Sequence, residues 1–246
     1  QLSWPNSKVS HSATQKKVGS TSLYFDGFNG DYLNTPDHAE FSFGTGNFTI
    51  EFWINCGVQT AYTTIFCAEN YDIRITLGPD AATVPKLSFY SDTWGAHTTG
   101  TSNIGNNAWH HCAMVREGTD LKLYVDGALE ATRASSGNSL DANEMRIGQY
   151  VNTTLFYKGY LDEIRIVKGK AVYTGAFTPP TALTATGGTY SSATNVVNPT
   201  SGETSLLIHS DAGGHSGAYG TAQADGKKYY YTDIKGSKSI KDPRIG

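Results

Sequence analysis

The chain has 246 residues, enough for one large β domain, or a domain with an appendage, and for a core that needs no disulfide staples. A net charge of −3 with only 17% charged residues offers no basic surface to a phosphate backbone, which excludes nucleic acid as a partner. No apolar run approaches the roughly 20 residues that cross a bilayer, and QLSWPNSKVS lacks the basic-then-apolar order of a signal peptide, so no membrane partner is expected. An opening Gln suggests a segment cut from a longer protein.

Glycine at 27 positions, abundant Ser and Thr, and 12% aromatic residues suit an all-β chain with tight turns. In chain order, Asp37–Phe41 is where a short helical turn is expected, since no window of useful length spaces apolar residues at i, i+3, i+4, i+7. Phe48–Ile54 alternates, with Phe48, Ile50, Phe52 and Ile54 on one face and Thr49, Glu51 and Trp53 on the other. Cys56 and Cys67 flank a predicted hairpin, either paired or as small buried apolar groups. Trp109–Val115 is a further strand. Leu121–Thr132 follows, with Leu121, Leu123 and Val125 on one face and Asp126-Gly127 supplying a two-residue hairpin turn. Leu161, Ile164 and Ile166 anchor a further strand. Thr181–Glu203 carries hardly any large apolar side chain and reads as a linker or an extended strap. A new apolar run, SLLI, begins at Ser205.

Known catalytic patterns are missing. No Cys/His spacing resembles a zinc site, and neither a GxSxG elbow nor a GxxxxGK[ST] loop occurs. His110 and His111 are adjacent on a strand and face opposite ways, so one site cannot use both.

Seven phrases occur in order: SLYFDG (22–27), DYL (31–33), FTIEFW (48–53), WHHCAMVR (109–116), LKLYVDG (121–127), MRIG (145–148) and GYLDEIRI (159–166). Together they resemble the laminin-G-like (concanavalin A-like) jelly-roll superfamily, over roughly residues 9–181. With VYTGAFTPPT (172–181) the wording is most similar to copies in structural proteins of marine bacteriophages. The resemblance implies an all-β, two-sheet antiparallel jelly-roll sandwich over residues 1–181, a linker over 182–204 and a strand-bearing segment over 205–246. In the proteins it resembles, a phrase like SLLIHSD opens each sandwich; here it comes near the end, as if the register were shifted by one strand. Either the chain runs into a next repeat, or Leu206, Leu207, Ile208 and His209 add to an exposed sheet edge, their own or a neighbour's.

Endo-glycosidases of this architecture carry two carboxylates in an E-x-D pattern on one strand face. No two acidic residues here lie two apart, and Asp162 and Glu163, being adjacent, are expected on opposite faces. The resemblance leaves room for one structural Ca²⁺, with Asp162 in the position of the family's last-strand Asp and Asp26 and Asp31 in the first loop. The bland alternative makes Asp26 and Asp31 turn formers and gives Asp162 a backbone or Arg165 hydrogen bond. Sugar binding by such modules needs exposed rings among hydrogen-bonding groups. Trp94 and His97 in SDTWGAHTTG, Tyr150, Asn152 and Tyr157 in YVNTTLFY, and Tyr71 in AENYD are the candidates, on loops that could share one rim. The implied role is a non-enzymatic structural or adhesion module on a phage virion: a tail fibre, an appendage or a capsid decoration. Its partners would be other virion subunits, further copies of itself, or a host-surface glycan. The alternative is a lectin domain of a bacterial surface protein.

Overall fold

Alternating strands close into two antiparallel sheets laid face to face in a computed structural model. It describes residues 9–28, 31–35, 37–59, 62–78, 84–92, 95, 97–134, 137–151, 155–200 and 202–210. Across the larger sheet run β1 (Ser10–Ser12), β2 (Ser22–Asp26), β15 (Lys158–Lys168), β5 (Phe48–Asn55), β10 (Trp109–Glu117), β11 (Asp120–Val125) and β12 (Ala128–Ala134). A further strand, β18 (Thr204–Ile208), lies on β15. The facing sheet runs β3 (Leu33–Asn34), β14 (Met145–Ile147), β6 (Thr63–Ala68), β7 (Arg74–Leu77), β8 (Leu87–Tyr90) and β9 (Thr98–Thr99). Two short pairs complete the strands: β4 (Ser42–Gly44) with β13 (Leu140–Asp141), and β16 (Ala182–Thr184) with β17 (Gly187–Thr189). The helical element among the described residues is the 3₁₀ turn Ala39–Phe41, where a short turn was expected.

The period of two decides what is buried. Phe48, Ile50, Phe52 and Ile54 of β5 face Phe66, Ile75 and Phe89 of the other sheet in one apolar core. Asp126 and Gly127 both take positive φ, as a two-residue hairpin turn of the primed type requires, and Val125 pairs with Ala128 across it. The Phe177 N–H donates to the Gly127 carbonyl, and a Cβ at Gly127 would lie 1.8 Å from the Phe177 oxygen.

The middle of the larger sheet's outer face is buried as well. Residues 171–197 run back across it, and Val172, Tyr173 and Phe177 pack on Ala113, Val115, Tyr124 and Val167 in a second apolar cluster. Beneath them Glu51 is fully buried. It accepts from Arg165 Nε at 2.8 Å and from the Tyr173 hydroxyl at 2.5 Å, and lies 3.1 Å from His111 Nε2. Burial alone would raise this carboxyl, but Arg165, His111 and Tyr173 outweigh it and hold it at about 2. The segment read as a linker thus carries a hairpin, β16–β17, whose Thr184 carbonyl accepts from Arg165 at 2.8 Å.

Leu161 and Ile164 both face the core although they lie three positions apart, because β15 bulges between Asp162 and Arg165, with Glu163 at φ 47°. The bulge corrects the expectation of opposite faces: both acids turn away from the core. Asp162 Oδ2 accepts the N–H of Lys17 and of Val18, each at 3.0 Å, while Glu163 accepts from Leu183 N at 2.6 Å and lies 2.6 Å from His209 Nδ1. One irregular point therefore clasps the N-terminal loop, the strap and the C-terminal strand. Beyond the bulge β18 pairs with Ile164–Val167, end to end with β2 on the same edge of β15, and puts Leu206 and Ile208 into the core.

All three cysteines are free and buried. Cys56 lies in the core at the end of β5, whereas Cys67 sits on the outward row of the facing sheet. Sheets about 10 Å apart hold them beyond disulfide reach.

Candidate functional site

Between its core positions the facing sheet turns a row of side chains outward. Asn34, Arg146, Cys67, Arg74 and Tyr90 are successive cross-strand partners on five neighbouring strands. Ile73, Ile75 and Leu77 fill the core, so Arg74 must face out, and Phe89 does the same for Tyr90. The Arg74 guanidinium lies 4.0 Å from the Tyr90 ring centroid and 5.0 Å from that of Tyr150, in a double cation–π arrangement. Its Nη2 is 2.8 Å from Asp92, and its Nε is buried without a hydrogen bond.

More rings gather at this guanidinium. Tyr71 packs on Tyr150 at 5.4 Å, and His97 lies 4.6 Å from Tyr90 and 5.3 Å from Tyr62. The Tyr62 hydroxyl is 2.6 Å from His97 Nδ1. Burial, helped by the Arg74 charge, holds the His97 imidazole below its usual range, so it stays neutral near pH 7. Further along the row Arg146 stands 4.7 Å from the Tyr32 ring and donates to the Val151 carbonyl at 2.9 Å.

Local structure fixes these groups. Tyr71 ends a tight turn at φ 65°, a conformation unusual for a bulky residue; its N–H donates to Ala68 and its carbonyl accepts from Asp92. The Tyr62 ring lies over Gly78, where a Cβ would come within 2.3 Å of it.

Of the residues expected at a sugar site, Tyr71, Tyr150 and His97 come together around Arg74. Trp94 and Asn152 lie outside the described residues. Tyr157 does not belong with them: it is fully buried, its hydroxyl donating to the carbonyls of Tyr160 at 3.1 Å and Asn55 at 3.3 Å, because the loop has already turned into β15 and the core. Arg74, Tyr90 and Tyr62 went unread, although the alternation of DIRITL and LSFY already points Arg74 and Tyr90 outward.

The carboxylates implied for calcium do not converge. Asp26 pairs with Lys158, four residues from Asp162, which sets the two about 13 Å apart along the strand. Asp162 is filled by amide donors, an arrangement that suits a clasp and not a cation. Asp31 Oδ2 accepts from Asp26 N–H, while its Oδ1 is buried and unpartnered. Among the described residues no three His, Cys, Asp or Glu side chains are grouped to hold a metal. Nor does Glu51 face a second carboxylate, since its cross-strand partners are Ala113 and Arg165. His110 pairs with Asp126 at 2.7 Å and His111 with Glu51, on the two sides of one strand.

Two antiparallel sheets laid face to face in jelly-roll order define a concanavalin A-like β-sandwich. The chain belongs to the concanavalin A-like lectin/glucanases superfamily: a laminin-G family profile matches residues 25–173, more than half its length. No curated protein matches it in sequence. Among solved structures it is similar to the binding domain of Paraclostridial Mosquitocidal Protein 1 (16% identity, TM-score 0.51, covering 68% of this chain and 42% of that one). It is also similar to a structure of botulinum neurotoxin type C reported with cell entry dependent on two ganglioside molecules (14%, 0.51, 70% and 43%). A third is domain 4 of a GH43 extracellular arabinanase from Geobacillus stearothermophilus, solved with arabinotriose (18%, 0.50, 68% and 78%). At these identities the likeness is one of fold, and the chain spans less than half of either toxin chain.

Proposed function

We propose that the protein is a non-enzymatic carbohydrate-binding module and that the Arg74 face is its glycan-binding surface. The observation that carries this is the guanidinium held between Tyr90 and Tyr150, with Tyr71 and His97 beside it on a partly exposed sheet face. Ring faces take the apolar side of a sugar; the fixed guanidinium and the neutral imidazole meet its hydroxyls or a carboxylate. The arabinotriose and ganglioside in the descriptions of similar folds agree with this reading, which rests on the residues themselves.

The finer assignment, also proposed, places the module on the outer surface of a phage particle, as part of a tail fibre, appendage or capsid decoration facing host glycan or neighbouring subunits. The order and wording of the seven strand phrases support it. Because single lectin sites are weak, the test is a glycan array probed with bead-coupled protein. Binding that disappears in Arg74→Ala and Tyr150→Ala is the expected result. An array without signal, or one on which both variants match the parent, overturns the proposal.

A further inference from the structure

The covering of the larger sheet's outer face stops short. The strap shields Glu51, and Lys17 shields Trp53, its ammonium 3.8 Å from the ring. The next outward positions form a row: Asn55 is the cross-strand partner of Tyr160, and Tyr160 that of Tyr24. The two tyrosine rings lie 5.0 Å apart. Loops rise around this row and enclose a cleft of about 450 Å³, within the range of ligand sites. Phe28, 65% exposed, stands on its rim.

Cleft and Arg74 face lie on opposite sheets, so the cleft is a separate place on the molecule. Its chemistry differs too. Its lining includes the rings of Tyr24 and Tyr160, the amides of Asn55 and Asn107, and one charge of each sign, Asp26 and Lys158. With no net charge, the cleft has no preference for an anion or a cation. Asn107 holds φ 61° while its N–H donates to the Cys56 carbonyl, and a Cβ at Gly57 would crowd its side-chain oxygen at 2.9 Å. Glycine at 57 thus leaves the carboxamide room beside the cleft. Rings, amides and no net charge match one ligand chemistry: a ring with an apolar face and a hydroxylated edge.

We propose that this cleft is a second binding site, for a neutral saccharide segment, independent of the Arg74 face. The test titrates the whole protein with maltotriose, cellotriose, chitotriose and arabinotriose. The side-chain amide signals of Asn55 and Asn107 are followed by NMR. At least one trisaccharide is expected to shift both signals saturably. Tyr160→Ala should weaken that binding about tenfold, and Arg74→Ala should leave it unchanged. Asn107→Ala, a loop substitution, provides the same loss should Tyr160→Ala disturb the sheet. Four trisaccharides that leave the cleft signals unmoved, or binding equal to the parent's in Asn107→Ala, overturn the proposal. Loss in Arg74→Ala alone would assign the binding to the first face and overturn it equally.

Discussion

Asp31 and Glu51 are both buried carboxylates, and their surroundings push them in opposite directions. Glu51, held at about 2, stays ionised in the fold; the stability it contributes is present above its ordinary range near 4.5 and fades as pH falls toward 2. Asp31 is pushed up to about 7 and Asp162 to about 6, in each case chiefly by burial. For these two the fold favours the protonated form, so stability is lost as pH rises from their ordinary range near 4 through those values. Together these three groups favour mildly acidic over neutral pH. Thermal unfolding is expected to show a melting temperature that falls between about pH 5 and about pH 8, and Asp31→Asn should flatten that fall, since an amide keeps the acceptor for Asp26 and has no proton to lose. An equal slope in parent and variant would place the dependence elsewhere.

Among the elements, β18 has the most to test. Leu206, Leu207 and Ile208 are buried, each worth about 1.5–3 kcal/mol, so the strand's apolar contribution rivals the roughly 5–15 kcal/mol that holds a whole domain folded. A chain ending at Glu203 is expected to lose its cooperative unfolding transition, and a synthetic peptide of residues 202–210 should restore it; a truncated chain that melts like the parent would refute the strand's role. β5 and β11 were legible as apolar alternation, β18 as an apolar run, and the order of strand phrases pointed to the family. The strap was not. Thr49, Glu51 and Trp53 read only as the face opposite the apolar row, and such a face on an antiparallel sheet ordinarily meets water. What buries Glu51 is Arg165, 114 residues on, together with Tyr173, and no local pattern announces a pairing that distant. The β15 bulge was hidden for the same kind of reason: the three-residue step from Leu161 to Ile164 shows a break in alternation but not that both acids between them turn outward. At the site, loop aromatics such as Tyr71, Tyr150 and His97 could be picked out, because rings amid polar residues stand out. Tyr157 closes the same stretch and looks the same in sequence; only the turn into β15 sends it inward.

For the whole molecule the decisive feature is that the two proposed surfaces face away from each other across the sandwich. A short oligosaccharide cannot reach both, whereas a long polymer, or a surface dense in glycan, can be held by two molecules at once. Light scattering with a soluble polysaccharide recognised by both faces should show cross-linked complexes for the parent. Arg74→Ala and Tyr160→Ala singly should bind without cross-linking; cross-linking that survives either change would mean that self-association supplies the second contact. The two ends of the described chain also meet: the Ser210 carbonyl accepts from Thr21 at 2.5 Å and lies 2.7 Å from His11 Nδ1. Tension between the segments flanking residues 9 and 210 therefore falls first on that shared carbonyl, then on β18, which among the described residues pairs with β15 alone. A strand loaded from its end peels bond by bond, so under pull the molecule would give way at this corner first.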